Sequence, residues 1–287
     1  MCEKSSSPVR KRAFSNGVKV WGITRVHAHA AGLAVLFVLG LALTWNTAPQ
    51  SLRNAGEDAL YVINPTAARA FAYGERHFNA SNSSAYDIAR AEYFFKKAAA
   101  LDPTILYLYH ELARIDFLKG RFNAALAKID FQISMHGDET PNSYYVRGLI
   151  EGYMGKYDAS AKDYERYLEY DPTNWAALND YAWVLLKANR PEEAAAATAR
   201  GLENFPDNPW LLNSQATALY EMGDYAGALV YVQRADAEVR KTTEKQWLVA
   251  YPGNDPKIAS DGLAAFKKAV SGNMHTIEQS LASSTVQ

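Results

Sequence analysis

Two consecutive stretches decide the fold: PNSYYVRGLIEGYMGKYDASAKDYERYLEYDPTN at 141–174 and WAALNDYAWVLLKANRPEEAAAATARGLENFPDN at 175–208. Each ends in a proline-containing tetrapeptide, so Pro172 and Pro206 occupy the same position of the repeat. Further upstream the same position is held by Gly137 and Pro103, and the successive spacings are 34, 35 and 34 residues. Helical texture with this period predicts a stacked array of helical hairpins, which leaves a long concave surface for partners.

Three positions of the repeat carry the same kind of residue in four segments. Position 8 holds Ala113, Gly148, Ala182 and Ala216; position 20 holds Ala125, Ser160, Ala194 and Ala228; position 17 holds Phe122, Tyr157, Pro191 and Tyr225. This pattern resembles the tetratricopeptide repeat, in which small residues let two helices approach closely and the residue at position 17 fills the turn. The resemblance covers about half of the chain. It implies an all-α fold, a right-handed α-solenoid of about five tetratricopeptide-type hairpins.

An apolar segment near the amino terminus predicts one transmembrane helix, at residues 27–46, preceding the solenoid. Residues 30–45 (AAGLAVLFVLGLALTW) contain no charged side chain, and six basic residues precede them. This distribution favours a cytoplasmic amino terminus and places the repeats on the extracytoplasmic side. A cleaved signal peptide and a buried hairpin of a soluble protein are the alternative interpretations.

Charge is distributed unevenly, although the formal net charge is only −1. Residues 1–26 carry +5 and the rest of the chain carries −6. A nucleic-acid groove requires Lys and Arg clustered on the folded face, so a mildly acidic body predicts no nucleic-acid partner. The only cysteine, Cys2, lies in the basic tail, and a cysteine-free exported body is typical of a bacterial envelope protein.

These segments define the expected domain organisation. The order is a basic cytoplasmic tail at 1–26, the transmembrane helix at 27–46, a linker at 47–64 with a short helix at about 58–62, the array at 65–241, capping helices at 242–271 and a disordered tail at 272–287. The repeats are expected at about 65–104, 105–140, 141–174, 175–208 and 209–241. The first repeat is irregular, with a polar loop between its helices, and we interpret it as the amino-terminal cap.

Motifs for catalysis or metal binding are incomplete in this sequence. His110 and Glu111 begin like a zinc-protease helix, but Arg114 stands where the second histidine ligand is required. Neither a phosphate-binding glycine loop nor a nucleophile elbow is found. We therefore predict that the protein is not an enzyme, and that it uses no catalytic residue, cofactor or metal.

In the tetratricopeptide family the first helix of each repeat lines the concave face, chiefly through positions 2, 5, 9 and 12. The resemblance implies a peptide groove lined by Tyr107, His110, Arg114, Phe117, Asn142, Tyr145, Leu149, Asn179, Trp183, Asn213, Thr217 and Tyr220, with Leu186 and Trp210 at further such positions. Side-chain amides both donate and accept, so Asn179 and Asn213 are suited to an extended peptide backbone. The alternative is that the aromatic residues pack between helices and the asparagines are solvated. The carboxylate clamp of some family members is not expected, because His110 and Arg114 depart from its pattern.

Together these features predict a membrane-tethered scaffold of a bacterial inner membrane, which binds a protein or peptide partner in its groove on the extracytoplasmic side. The lipid bilayer is the second expected partner, through residues 27–46. Roles in envelope assembly, secretion or chaperoning are expected from fold analogy. Two alternatives stay open: a structural oligomerisation module whose arrays stack through their ends, and an accessory subunit of an envelope enzyme complex. A buried, converging polar site at Glu111 and Arg114 would support the second.

Overall fold

The computed structural model describes residues 47–284. These residues form helices, and no strands are found among them. The chain divides into two compact units, residues 1–56 and 57–287, and in the first of them only residues 47–56 are described. The transmembrane helix predicted at 27–46 lies outside the described residues. Within 47–284 none of the helices is sufficiently long and apolar to cross a bilayer.

Thirteen α-helices occupy the described part of the chain. They are α1 (Gln50–Ile63), α2 (Ala67–His77), α3 (Ile88–Leu101), α4 (Leu108–Leu118), α5 (Phe122–His136), α6 (Asn142–Tyr153), α7 (Tyr157–Tyr170), α8 (Trp175–Lys187), α9 (Pro191–Asn204), α10 (Pro209–Glu221), α11 (Tyr225–Lys241), α12 (Glu244–Ala250) and α13 (Ala259–Ser284). Short 3-10 helices lie at Gly137–Glu139 and Pro256–Ile258. The prediction of an all-helical fold is confirmed.

Ten of the helices form five hairpins, in which α2 packs with α3, α4 with α5, α6 with α7, α8 with α9, and α10 with α11. The hairpin turns lie where the sequence places Gly or Asn: Gly120, Gly155 and Gly223 have φ angles of 68°, 78° and 83°, and Asn189 has a φ of 58°. Such left-handed residues end one helix and redirect the chain into the next. First helices of neighbouring hairpins also contact each other, so α4, α6, α8 and α10 share one face.

Small residues at positions 8 and 20 bring the two helices of a hairpin together. In the third hairpin a Cβ added to Gly148 would lie 3.2 Å from the carbonyl oxygen of Ser160. Ser160 Oγ in turn donates a 2.6 Å hydrogen bond to the carbonyl oxygen of Gly148. Ala113 and Ala125 of the second hairpin are fully buried. The core therefore consists of closely spaced helix pairs filled out by aromatic and aliphatic side chains.

Helix α13 takes the place of the first helix of a sixth hairpin, because it packs against both α10 and α11. Val270 and Ile277 are buried against the last hairpin, together with half-buried Met274. The expectation of disorder from Gly272 onward was wrong for residues 272–284. Apolar residues recur there at helical spacing and cover the end of the array, which extends the helix to Ser284.

The linker expected at 47–64 is also more helical than predicted, since α1 spans most of it. Tyr61 of α1 packs against Phe94 of α3, with ring centroids 5.8 Å apart. Glu57 Oε2 lies 2.7 Å from Nε2 of His77, and both side chains are buried. Burial alone would raise the pKa of Glu57, but His77 and two nearby arginines lower it below its usual value. These contacts stabilise a helix that is longer than the short one expected at about 58–62.

Candidate functional site

A cavity of about 730 Å³ lies on the face formed by the first helices of the hairpins. Side chains from α4, α6, α8 and α10 line it, so four successive hairpins contribute to one space. Seven of the predicted groove residues are among them: Arg114, Phe117, Tyr145, Leu149, Asn179, Trp183 and Asn213. The structure thus brings together most of the surface that the repeat pattern implies, and binding of a partner by these residues stays a prediction.

Most of the remaining cavity wall comes from α12, the loop that follows it and α13. We call residues 251–254 of this loop the strap. Tyr86, in the first hairpin, donates a 2.6 Å hydrogen bond to the carbonyl oxygen of Gly253. Arg114 Nη2 donates to the carbonyl oxygen of Pro252 at 3.2 Å, and its guanidinium lies 4.8 Å from the ring centre of Phe78. The strap therefore connects the carboxyl-terminal part of the array to its first two hairpins across the cavity.

Aromatic rings make up much of the wall. Trp210 stacks on Phe266 of α13 with ring centroids 4.9 Å apart, and its Nε1 donates to Tyr251 Oη at 3.1 Å. Trp183 of α8 contacts Tyr153 of α6 with a centroid distance of 5.4 Å. The aromatic rings therefore pack between helices and also line the cavity. The two interpretations of the aromatic residues, packing and groove surface, do not exclude each other.

Asp180 places a carboxylate in this mostly apolar wall. Tyr145 Oη donates to its Oδ2 at 2.7 Å and Asn179 Nδ2 to its Oδ1 at 3.3 Å. The side chain is surrounded by protein but keeps part of its surface open to the cavity. Burial raises the pKa of Asp180 to about 6, against the opposing effect of the two hydrogen bonds. Among residues 47–284 no basic side chain forms an ion pair with it.

The two asparagines singled out in the sequence are already hydrogen-bonded. Ser214 Oγ donates to Asn179 Oδ1 at 2.8 Å, and Asn273 Nδ2 of α13 donates to Asn213 Oδ1 at 2.9 Å. Asn213 is therefore hydrogen-bonded to α13 and is not simply solvated. Each amide retains further hydrogen-bonding capacity toward the cavity.

Helix α13 also covers the far end of the predicted groove. Tyr220 Oη lies 3.3 Å from Ser280 Oγ, and Thr217 Oγ1 donates to the backbone carbonyl oxygen of Asn213 at 3.0 Å. Neither Thr217 nor Tyr220 lines the cavity. Tyr220 contacts α13, and the binding of a partner by Thr217 and Tyr220 stays a prediction. Leu186 packs in the core beside α9 and α10.

Tyr107, His110 and Asn142 lie beside the cavity and not within it, around a neighbouring depression. His110 is only 6% exposed, with its Nδ1 3.2 Å from Ser143 Oγ. Burial, with a smaller effect of Arg114, lowers the pKa of His110 to about 3 and keeps the ring neutral. His110 thus borders the depressions that adjoin the cavity, and its contact with a partner stays a prediction.

Glu111 and Arg114 do form an ion pair of 2.8 Å, between residues three apart on α4. Burial raises the pKa of Glu111, although Arg114 opposes this effect. Both residues border the depression next to the cavity, and Arg114 also lines the cavity itself. In the part of the chain that the structure describes, no group of three or more His, Cys, Asp or Glu side chains could hold a metal ion.

Sequence reasoning missed Asp180, Trp247 and the strap. Asp180 carried a signal, since it is the one carboxylate in the mostly apolar helix WAALNDYAWVLLK. Trp247 and the strap lie outside the repeat and follow no period. Their position depends on contacts with residues distant in sequence.

Comparison with known proteins agrees with this architecture. Residues 145–209 match the family model described as Tetratricopeptide repeat. No curated protein matches the chain significantly.

Several solved structures share the fold. A crystal structure of YrrB, described as a TPR protein with an unusual peptide-binding site, is 16% identical with a TM-score of 0.52, over 63% of this chain and 91% of that chain. A structure described as MamA MSR-1 C2 is 17% identical with a TM-score of 0.51, over 61% of this chain and 99% of that chain. At such identity the likeness concerns the fold alone. Residues 145–209 thus match tetratricopeptide repeats, and for the rest of the array the likeness to these structures is one of fold.

Proposed function

We propose that the protein is a scaffold that binds an extended segment of a partner protein at the cavity. One observation carries the proposal: four successive first helices contribute side chains to a single space, so several repeats can hold the same ligand. A volume of about 730 Å³ falls within the range of ligand sites. It accommodates a few side chains and no folded domain, so the partner inserts part of an extended segment. The peptide-binding site named for YrrB supports the same mode.

Photo-crosslinking in cells tests this proposal. A photoreactive residue at Phe117 or Leu149 faces the cavity, whereas the matched control at Lys162 is exposed on α7, a second helix. We expect a discrete adduct with another protein from the cavity positions and none from Lys162. Equal labelling at all three positions, or adducts only with further copies of this chain, would contradict the proposal and favour the oligomerisation module.

We further propose that residues 27–46 tether the array to a membrane, with the repeats on the extracytoplasmic side. The apolar composition of 30–45 and the basic residues before it support this arrangement. Tethering would raise the effective concentration of the array near membrane-bound partners.

Cysteine labelling in intact cells tests the tether, because the chain has one natural cysteine, Cys2, on the opposite side of the predicted span. In a Lys162→Cys variant, a membrane-impermeant maleimide should modify position 162 and leave Cys2 unmodified. Modification of Cys2 alone would reverse the proposed orientation. A mature chain without Cys2 would indicate a cleaved signal peptide.

A further inference from the structure

The cavity contains an uncompensated negative charge. Tyr145 and Asn179 donate hydrogen bonds to Asp180, but within residues 47–284 the carboxylate has no ion-pair partner. Placing an ionised carboxylate inside a protein costs free energy unless a counter-charge is present. A ligand that supplies a positive charge would therefore bind preferentially here.

Arg114 does not provide this charge, although it lines the same cavity. Its guanidinium pairs with Glu111 at 2.8 Å, donates to the carbonyl oxygen of Pro252 and lies over the ring of Phe78. These contacts hold the guanidinium toward the strap side of the cavity. Within residues 47–284, Arg114 is therefore not an ion-pair partner of Asp180.

The walls near Asp180 suit a cation with an apolar stem. Trp183, one turn further along α8, and Tyr153 present aromatic surface to the cavity, as does Trp210 of α10. Aromatic faces attract ammonium groups through the ring quadrupole, and tryptophan does so best. A carboxylate combined with aromatic walls therefore selects a cationic ligand over a neutral or anionic one.

The hydrogen bonds to Asp180 discriminate between the two common side-chain cations. Each carboxylate oxygen already accepts one bond, from Tyr145 or from Asn179. A guanidinium binds best when it meets both oxygens side by side, whereas an ammonium acts as a compact point charge and needs only one free acceptor direction. The partly occupied carboxylate favours the ammonium.

We propose that the cavity receives the ammonium group of a lysine side chain from the partner segment, with Asp180 as its counter-ion and Trp183 beside its methylene stem. This inference rests on the proposed scaffold function and specifies the chemistry of the segment that is bound. It reverses the charge arrangement of a carboxylate clamp, since here the scaffold supplies the acid.

Calorimetric titration of the full-length protein with n-butylammonium chloride, the analogue of a lysine side chain, tests the site. n-Butanol serves as the neutral control of equal stem length. We expect saturable binding of the ammonium and at least tenfold weaker binding of the alcohol. Asp180→Asn should weaken ammonium binding by about tenfold or more, because a charge-assisted hydrogen bond is lost. Trp183→Leu should weaken it by about threefold, since it removes the quadrupole and keeps an apolar wall.

Glu203→Gln is the matched control, because it removes one negative charge from an exposed position of α9 and should leave binding unchanged. Thermal unfolding of each variant, measured alongside, establishes that the fold is retained. Equal affinity for ammonium and alcohol, or unchanged ammonium binding in Asp180→Asn, would overturn the inference.

Repeating the Leu149 crosslink with Asp180→Asn distinguishes this inference from the scaffold function. Loss of the adduct in Asp180→Asn and not in Glu203→Gln supports a lysine in the cavity. An undiminished adduct in Asp180→Asn overturns the lysine assignment and leaves the scaffold function standing. Absence of an adduct from the unaltered cavity overturns the scaffold function, and with it the assignment of the cation to a partner.

Discussion

The phenol of Tyr86 donates a 2.6 Å hydrogen bond to the carbonyl oxygen of Gly253, a residue 167 positions further along the chain. Gly253 has a φ of 92°, which L side chains rarely adopt. A Cβ added there would lie 2.9 Å from Nη2 of Arg114 and 3.3 Å from the ring of Phe78. The strap therefore contacts the first two hairpins through a residue that lacks a side chain.

Gly253→Ala should release the strap. The added methyl group strains the backbone at positive φ and displaces the guanidinium of Arg114, which then loses its hydrogen bond to Pro252. We expect a loss of about 1–2 kcal/mol in the free energy of unfolding. Hydrogen–deuterium exchange should become faster at residues 251–254.

Gly223→Ala is the control for this experiment. Gly223 has a similar φ of 83°, but a Cβ there would meet no atom within 4 Å. This variant should be destabilised by backbone strain, with unchanged exchange in the strap. Equal exchange in the strap of both variants would show that the contacts of Gly253 do not hold it in place.

The helical array was predictable because the residues that specify it are close together in sequence and recur at a fixed period. Small residues such as Gly148 and Ala182, and turn residues such as Gly155, recur at one period, and each repeat packs only on its neighbours. Period and helical spacing therefore indicate the hairpins and the helix faces that point inward. Seven of the predicted groove residues line the cavity for this reason.

The position of the strap and the length of α13 were not predictable in the same way. The strap contacts Tyr86 and Arg114 across more than 130 residues of chain, and no repeat pattern records such a pairing. The sequence after Gly272 is polar on average, which hid the helical spacing of Met274 and Ile277. Both features depend on tertiary packing, which overrides local propensity.

Two glycines of α13 should respond to alanine in opposite directions. A Cβ at Gly262 would lie 2.1 Å from the ring of Trp247, which is 7% exposed and cannot move away freely. Gly262→Ala should lower the free energy of unfolding by about 1–3 kcal/mol through overpacking.

Gly272 is exposed, and a Cβ there would meet no atom within 4 Å. Gly272→Ala should raise the free energy of unfolding by up to about 1 kcal/mol, because alanine is the better helix former. Urea unfolding followed by tryptophan fluorescence measures both changes. A stabilised Gly262→Ala variant would argue against the contact with Trp247.

Gln132 stands where the repeat normally has a small residue, and it supplies a cap to the neighbouring helix. Its Oε1 accepts hydrogen bonds from the backbone amides of Tyr109 and His110, at 3.1 and 3.3 Å, in the first turn of α4. Tyr107, the N-cap residue of α4, provides no side-chain cap.

Gln132→Leu should therefore cost about 1–2 kcal/mol in the free energy of unfolding, because two amides in the first turn of α4 lose their acceptor. Asn208→Ala, which removes an ordinary N-cap from α10, provides the scale for comparison. Urea unfolding at neutral pH gives both values. A Gln132→Leu variant as stable as the original protein would show that the cap is dispensable.

Asp180 should make the protein less stable at neutral pH than its amide variant. Burial raises the pKa of Asp180 to about 6, above its usual value of 3.8, so the folded protein binds the proton more tightly than the unfolded chain. The stabilisation from protonation is present at low pH and is lost as the pH rises through 4 to 6. Asp180→Asn should thus raise the free energy of unfolding on the order of 1–3 kcal/mol at pH 7.5.

This advantage of Asp180→Asn should become small by about pH 4, where Asp180 is protonated in the folded protein and partly protonated in the unfolded chain. The tyrosines that face the cavity do not titrate in this interval, because Tyr145, Tyr153 and Tyr251 have raised pKa values. Denaturant unfolding at pH 4, 6 and 7.5 measures the effect, with Glu203→Gln as the exposed control. A constant difference across this range would contradict the assigned titration. A stability difference that grows with pH would mean that the ionised Asp180 destabilises the folded protein. Such a destabilising charge is expected where a carboxylate binds a ligand.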